Sequence, residues 1–176
     1  MQLPQHVANY SIFRDGKRLI GLADVTLPDL KNLTDALKGS GIFGEIDAPI
    51  QAHFQPGAVT LNWLSITDDA IFATLQDGAQ LDAWSSVQFQ DTSTGKIIHK
   101  GWRFIMTTLP KSFNFGKLEI GTKGEAVSEF ELVAIRAIRD DITVCIIDKV
   151  NAICQWWDGV QLVDFAQVIR QQIGLT

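Results

Sequence analysis

The segment from Leu19 to Ile50 constrains the fold more than any other part of the chain. Leu19, Gly21, Ala23, Val25 and Leu27 alternate with Ile20, Leu22, Asp24 and Thr26, the two-residue period of a strand covered on both faces. Pro28 cannot donate to a ladder, so regular pairing should end there. After it Leu30, Leu33 and Leu37 are spaced as on a short helix, and Gly39, Gly41 and Gly44 permit backbone turns closed to other residues. Connections longer than about 12 to 15 residues without regular structure are uncommon in compact domains. This one carries too many large apolar residues to be a free linker. Residues 29–56 therefore read as an extended arm covered from outside its own domain. Pro28, Leu30, Leu33, Leu37, Gly39, Gly41, Ile42, Phe43, Gly44 and Ile46 are the candidates for a contact between subunits.

Around this arm the chain reads as ordinary sheet. Val7–Arg14 and Lys17–Leu27 flank Asp15-Gly16, a strong two-residue hairpin signal. Val59, Leu61 and Trp63 alternate with Thr60 and Asn62, and Val87 and Phe89 alternate with Ser86, Gln88 and Gln90, giving strands with one covered and one wet face. Between them Thr67 offers an N-cap, Asp68 and Asp69 suit the positive end of a helix dipole, and Gly78 suits its stop. Lys96–Leu109 is a long strand with Ile98, Trp102, Phe104 and Met106 on one side, and its length predicts projection beyond the body or a bend near Gly101. Pro110–Lys123 reads as irregular.

Glu125–Arg139 and Ile142–Lys149 form a second hairpin around Asp140-Asp141. Strict alternation puts Phe130, Leu132, Ala134 and Ile138 on one face and Glu131, Val133, Ile135 and Arg139 on the other. The last helix is expected from Val160 to Ile173, stopped by Gly174. The fold class is α+β and mostly β: one domain, residues 1–176. It is an antiparallel sandwich or partial barrel with a short flanking helix, an extended arm and a C-terminal helical segment at 158–176.

Little chemistry is legible. No nucleophile elbow, metal-binding HExxH, phosphate loop or CxxC occurs, and the 3 histidines stand far apart. His53 reads as a solvated or packed side chain rather than a ligand. Asp68-Asp69 reads as helix capping rather than a catalytic pair. Catalytic, cofactor and metal sites are accordingly expected to be absent. A net charge of −5 argues against a protein that grips phosphates, though not against one that lets nucleic acid pass. Cys145 and Cys154 suit a reducing compartment. The N-terminus lacks the pattern of a signal peptide, and no apolar run approaches membrane-helix length, so synthesis in the cytoplasm without a membrane anchor is expected.

VTLPDL at Val25–Leu30, GSGIFG at Gly39–Gly44 with Asp47, and Asp148, Asn151, Asp158-Gly159-Val160 and Ile173-Gly174-Leu175 stand in the order and spacing of a known family. In these motifs the chain resembles the major tail tube proteins of contractile-tailed phages. The resemblance implies six-membered rings stacked into a hollow tube, with strands of every subunit joined in a ring-wide inner barrel. It further implies a virion-tail component assembled in the bacterial cytoplasm, surrounded by the tail sheath protein. That component would house the tape-measure protein, meet baseplate and tail-terminator proteins, and conduct DNA without tight binding and without a cofactor. Thr60, Asn62, Ser86, Gln88 and Gln90 are the candidates for the lumen. Tubes of phage-tail-like bacteriocins and other contractile injection systems share the same expectations. A reading from another class is a carbohydrate-binding or small-molecule-binding β-sandwich with Trp84, Trp102, Trp156 and Trp157 as a stacking platform.

Overall fold

The computed structural model describes residues 1–41, 43–75 and 77–174. In chain order they form β1 (Gln2–Arg14), β2 (Lys17–Arg18), β3 (Leu22–Thr26), β4 (Asn32–Leu37), β5 (Ile46–Phe54), β6 (Ala58–Trp63), α1 (Asp68–Ala73), β7 (Ala79–Asp91), β8 (Ile97–Asn114), β9 (Val127–Arg139), β10 (Ile142–Asp148), β11 (Ile153–Trp157), β12 (Leu162–Asp164) and α2 (Gln167–Gln172). The main sheet runs β12-β11-β10-β9-β8-β7-β1-β2, and β6 adds to β9 and carries β3; β4 and β5 form a ribbon of their own. The fold is mostly β and antiparallel, as the alternation requires.

β9 organises the sandwich. One edge pairs with β8 along nearly its whole length, while the other is divided: Val127–Glu131 pairs with β6 and Ala134–Arg139 with β10. The change-over is a bulge at Val133, since Thr107 faces Ala134 while Thr108 faces Leu132. The Val133 carbonyl accepts the Lys149 N–H at 3.1 Å. An extra residue reverses the parity of everything after it. Phe130 and Leu132 are therefore buried together with Ile135 and Ala137, which corrects the expectation that Ile135 lies opposite Phe130.

Val59, Leu61 and Trp63 of β6 share one core with Leu81 and Ala83 of β7, Met106 of β8 and Cys145 and Ile147 of β10. Its polar atoms are satisfied: Trp63 Nε1 donates to Ser128 Oγ at 2.9 Å and Thr108 Oγ1 to the Ala79 carbonyl at 3.0 Å. Buried Arg14 donates to the carbonyls of Phe72, Leu75 and Asp77, where α1 ends. A cation there meets the negative end of the helix dipole.

Asp15 and Gly16 take φ of 47° and 82°, the two positive values of a type I′ turn. The hairpin they make is short, because after Arg18 the chain leaves β1 and Leu22–Thr26 pairs with β6. Thr67 caps α1 as expected, its Oγ1 accepting the Ala70 N–H at 3.2 Å, but the helix closes at Thr74, before Gly78.

Three expectations fail. β8 continues through Pro110 to Asn114, because a register shift between Pro110 and Ser112 removes the need for a proline N–H. The arm holds a hairpin instead of a helix, since Leu33 and Leu37 fit a period of two as well as a helical turn and β5 supplies a ladder. The C-terminal helix is cut down to Gln167–Gln172, because Leu162–Asp164 pairs with β11 first. The Asp164 carboxylate then accepts the Ala166 N–H at 2.9 Å and binds Arg170 at 2.6 Å.

Candidate assembly interface

Pairing of Leu37 with Ile46 and of Asp35 with Ala48 fixes the faces of the β4–β5 ribbon. Cross-strand partners share a face, so Leu33, Leu37, Ile46 and Ile50 lie together, while Thr34, Ala36, Asp47 and Pro49 lie on the reverse. The apolar four are 43%, 51%, 56% and 40% exposed. A lone two-stranded ribbon is marginal in water, and these four side chains stand exposed on a face that also carries Asp35 and Ala48. At the tip Gly41 and Gly44 take φ of 89° and 130°, presenting a fully exposed Phe43.

At the base Leu30 and Phe54 pack against the chain's own core, in a groove shared with Cys154, Trp156 and Phe165. The ribbon turns away from the body at an irregularity: Asn32 faces Phe54 but Thr34 faces Pro49, and Ala52 takes a φ of 60°. Of the ten interface candidates, Leu33, Leu37, Phe43 and Ile46 are exposed apolar side chains and Leu30 belongs to the base. Pro28 is half-buried at the start of the arm, and Gly39, Gly41 and Gly44 lie toward the tip. Ile42 lies outside the described residues.

A second projecting element was missed in the sequence. Between β8 and β9, Leu118 and Ile120 are almost wholly exposed. The loop is pinched at its base, where the Lys117 N–H donates to the Gly124 carbonyl at 2.8 Å and the Gly124 N–H to Leu64 at 3.0 Å. A Cβ on Gly116 would lie 1.9 Å from that Gly124 oxygen, so only glycine fits. Its sequence signal was an aliphatic pair flanked by glycines in a segment otherwise read as irregular.

Two strand edges are open as well. β1 has no strand partner on its outer side from Gln2 to Ser11 among the described residues, and β8 runs past the end of β9 from Ile97 to Lys100, Gly101 being hydrogen-bonded to Asp140. Pro4 fits such an edge. The far halves of β1, β7 and β8 thus extend as a three-stranded blade beyond the sandwich.

The lumen candidates divide between two surfaces. Ser86, Gln88 and Gln90 share the outer face of β7, where Gln88 donates to Gln5 at 2.7 Å and Gln5 to Gln90 at 3.2 Å. Arg103 on the same face is held by Asp82 at 2.7 Å, which raises its pKa, and lies 4.2 Å from the Trp84 ring. Thr60 and Asn62 point outward from β6, on the opposite layer, with Asn62 donating to Asp24.

Trp84 and Trp102 do not share a platform: Trp84 lies under Arg103, whereas Trp102 stacks on Phe104 with centroids 5.8 Å apart on the other face of the sheet. Among the described residues no cluster of His, Cys, Asp or Glu could hold a metal. Burial pushes the Cys145 thiol up to about 12 and raises Cys154 too, which favours the protonated thiol in both.

A family model described as phage tail tube protein FII matches residues 4–174. Among solved structures, the chain is similar to one from a cryo-EM structure of the sheath/tube terminator of an extracellular contractile injection system, PVC. It shares 18% identity with it over 77% of this chain and 96% of that chain, with a TM-score of 0.46. A chain of the anti-feeding prophage baseplate shares 10% identity over 73% and 90%, with a TM-score of 0.44. One from the PVC sheath-tube complex shares 16% over 78% and 90%, with a TM-score of 0.43. No curated protein matches.

Proposed function

This chain belongs to the phage tail tube protein FII family, and from that premise we propose that it forms six-membered rings that stack into the inner tube of a contractile tail. The tube holds the tape-measure protein during assembly and then conducts DNA. It contacts the tail sheath along its length and the baseplate and terminator at its ends. The observation that carries the reading is the uncovered apolar face of the β4–β5 ribbon, which gives the isolated chain a surface suited to a neighbouring subunit. The open edges of β1 and of β8 at Ile97–Lys100 are suited to continuing the sheet around the ring.

The outer face of β7 is the face we assign to the bore. A conduit for a polyanion should be wet without being strongly basic, since neutralising many phosphates makes binding tight. Ser86, Gln88, Gln90 and Gln5 are uncharged, and Arg103 there is paired with Asp82. Thr60 and Asn62 then face outward, toward the sheath.

Electron microscopy of the purified protein tests the assembly, with rings and tubes expected and a monomer at every concentration refuting it. Gln88→Cys and Asn62→Cys test the bore, because both native cysteines are buried. In intact tubes a maleimide on a large polymer should modify position 62 and spare position 88. The reverse pattern would place the lumen on β6.

A further inference from the structure

Asp-Gly occurs three times in the chain, at Asp15-Gly16, Asp77-Gly78 and Asp158-Gly159. In such a pair no side chain shields the glycine nitrogen, and a five-membered ring closes if the aspartyl carboxyl turns toward it. Two of the three carboxyls are held in other bonds. The Asp15 carboxylate accepts the Gln80 N–H at 3.2 Å and Arg14 Nε at 3.3 Å, inside the turn between β1 and β2. Asp158 Oδ1 accepts the N–H groups of Gln161 and Val160 at 2.8 and 2.7 Å, and these bonds hold its carboxyl below its ordinary pKa. Asp77 differs. It lies between α1 and β7, is exposed together with Gly78, and its carboxylate has no hydrogen bond or ion pair among the described residues. Its main-chain carbonyl, by contrast, accepts Nη2 of buried Arg14 at 3.4 Å.

We propose that Asp77-Gly78 is a site of self-modification, where the main chain passes onto the aspartyl side chain and leaves isoaspartate. The Gly78 nitrogen attacks Asp77 Cγ, the carboxyl OH departs as water with the amide proton, and a cyclic imide results. Water then adds to one imide carbonyl. Addition at the α-carbonyl breaks its bond to the Gly78 nitrogen, so the chain now runs through Cβ and Cγ and the α-carboxylate is set free. One water leaves and one enters, and no oxidant or reductant is needed. Arg14 directs the second step, because it donates to the α-carbonyl oxygen on which charge develops. Afterwards a carboxylate stands beside the buried guanidinium in place of a neutral carbonyl, a stronger partner for it. The modified chain carries an extra main-chain atom just before Ala79, where β7 begins.

The folded protein, and the same protein in urea, can be held for weeks in warm neutral buffer enriched in oxygen-18, and peptide mapping then reads isoaspartate and label at all three pairs. In the folded protein Asp77 should form isoaspartate about tenfold or more faster than Asp15 or Asp158, the factor for one carboxylate hydrogen bond that must first be released. In urea the three rates should converge. The ratio of isoaspartate to labelled aspartate at position 77 should be higher in the folded protein than in urea, which exposure alone would not produce. Gly78→Ala should fold as the parent does, since a Cβ there meets nothing closer than Leu109 Cδ2 at 4.0 Å, and should slow the reaction severalfold. Isoaspartate forming at Asp15 or Asp158 as fast as at Asp77 in the folded protein would overturn the site. An equal product ratio in the folded protein and in urea would overturn the part given to Arg14.

Discussion

Replacing Leu37 and Ile46 together by serine separates assembly from folding. The two residues face each other across the β4–β5 ladder and are each about half exposed in the single chain. Full burial of such a side chain is worth roughly 1.5 to 3 kcal/mol, so the half still exposed holds about 1 kcal/mol per residue, or about 2 kcal/mol per ribbon. That weakens each subunit contact about thirtyfold. A closed ring repeats the contact at every subunit, which sharpens the loss. The fold should hardly notice, because substitutions away from a core usually change stability by no more than about 0.5 kcal/mol. Sedimentation velocity and electron microscopy over a concentration series would read assembly, and thermal unfolding by circular dichroism would read the fold. Assembly at the parental concentration would show that the ribbon's apolar face contributes nothing to the interface. A melting temperature lowered by ten degrees or more would show that the ribbon belongs to its own domain's core.

Ser128→Ala leaves the indole N–H of Trp63 buried without an acceptor; unfolding in urea should show a loss of about 1 to 3 kcal/mol, and Ser128→Thr should recover part of it. Burial raises the Asp164 pKa, but the hydrogen bonds of Arg170, Gln155 and the Ala166 N–H together with the Arg170 charge outweigh it and hold the carboxyl below its ordinary value. A depressed carboxylate contributes stability above its unfolded pKa of about 4 and loses it as pH falls through the folded value. The amides of the β12–α2 segment should therefore lose protection, relative to their intrinsic exchange rates, below about pH 4, and in Asp164→Asn that loss on acidification should disappear. Cys145 should resist iodoacetamide at pH 8 in the folded protein and react within minutes in urea, since burial keeps it a thiol; equal rates in both would contradict its place in the core.

Local rules determined much of this protein from the sequence alone. Asp15-Gly16 and Asp140-Asp141 fix tight turns because the flanking strands need positive φ at both positions. Thr67 starts α1 through a bond to the backbone three residues on, and the alternation of Val59, Leu61 and Trp63 names the core face of β6 before any partner is known.

Tertiary structure decided what depends on a distant partner. Leu33 and Leu37 satisfy a helix and a strand equally, and only the ladder offered by Ile46–Phe54 makes them a ribbon. The bulge at Val133 has no local signature. It exists because one edge of β9 must serve β6 and then β10, and it alone turns Ile135 and Ala137 inward. The polar faces of β6 and β7 look alike in sequence, since alternation reports that a face is wet without saying which side of the sandwich it covers. That β3 joins β6 and leaves β1 is likewise invisible in the sequence, because a strand's period records its faces while its edges are settled by which strands are near enough to pair.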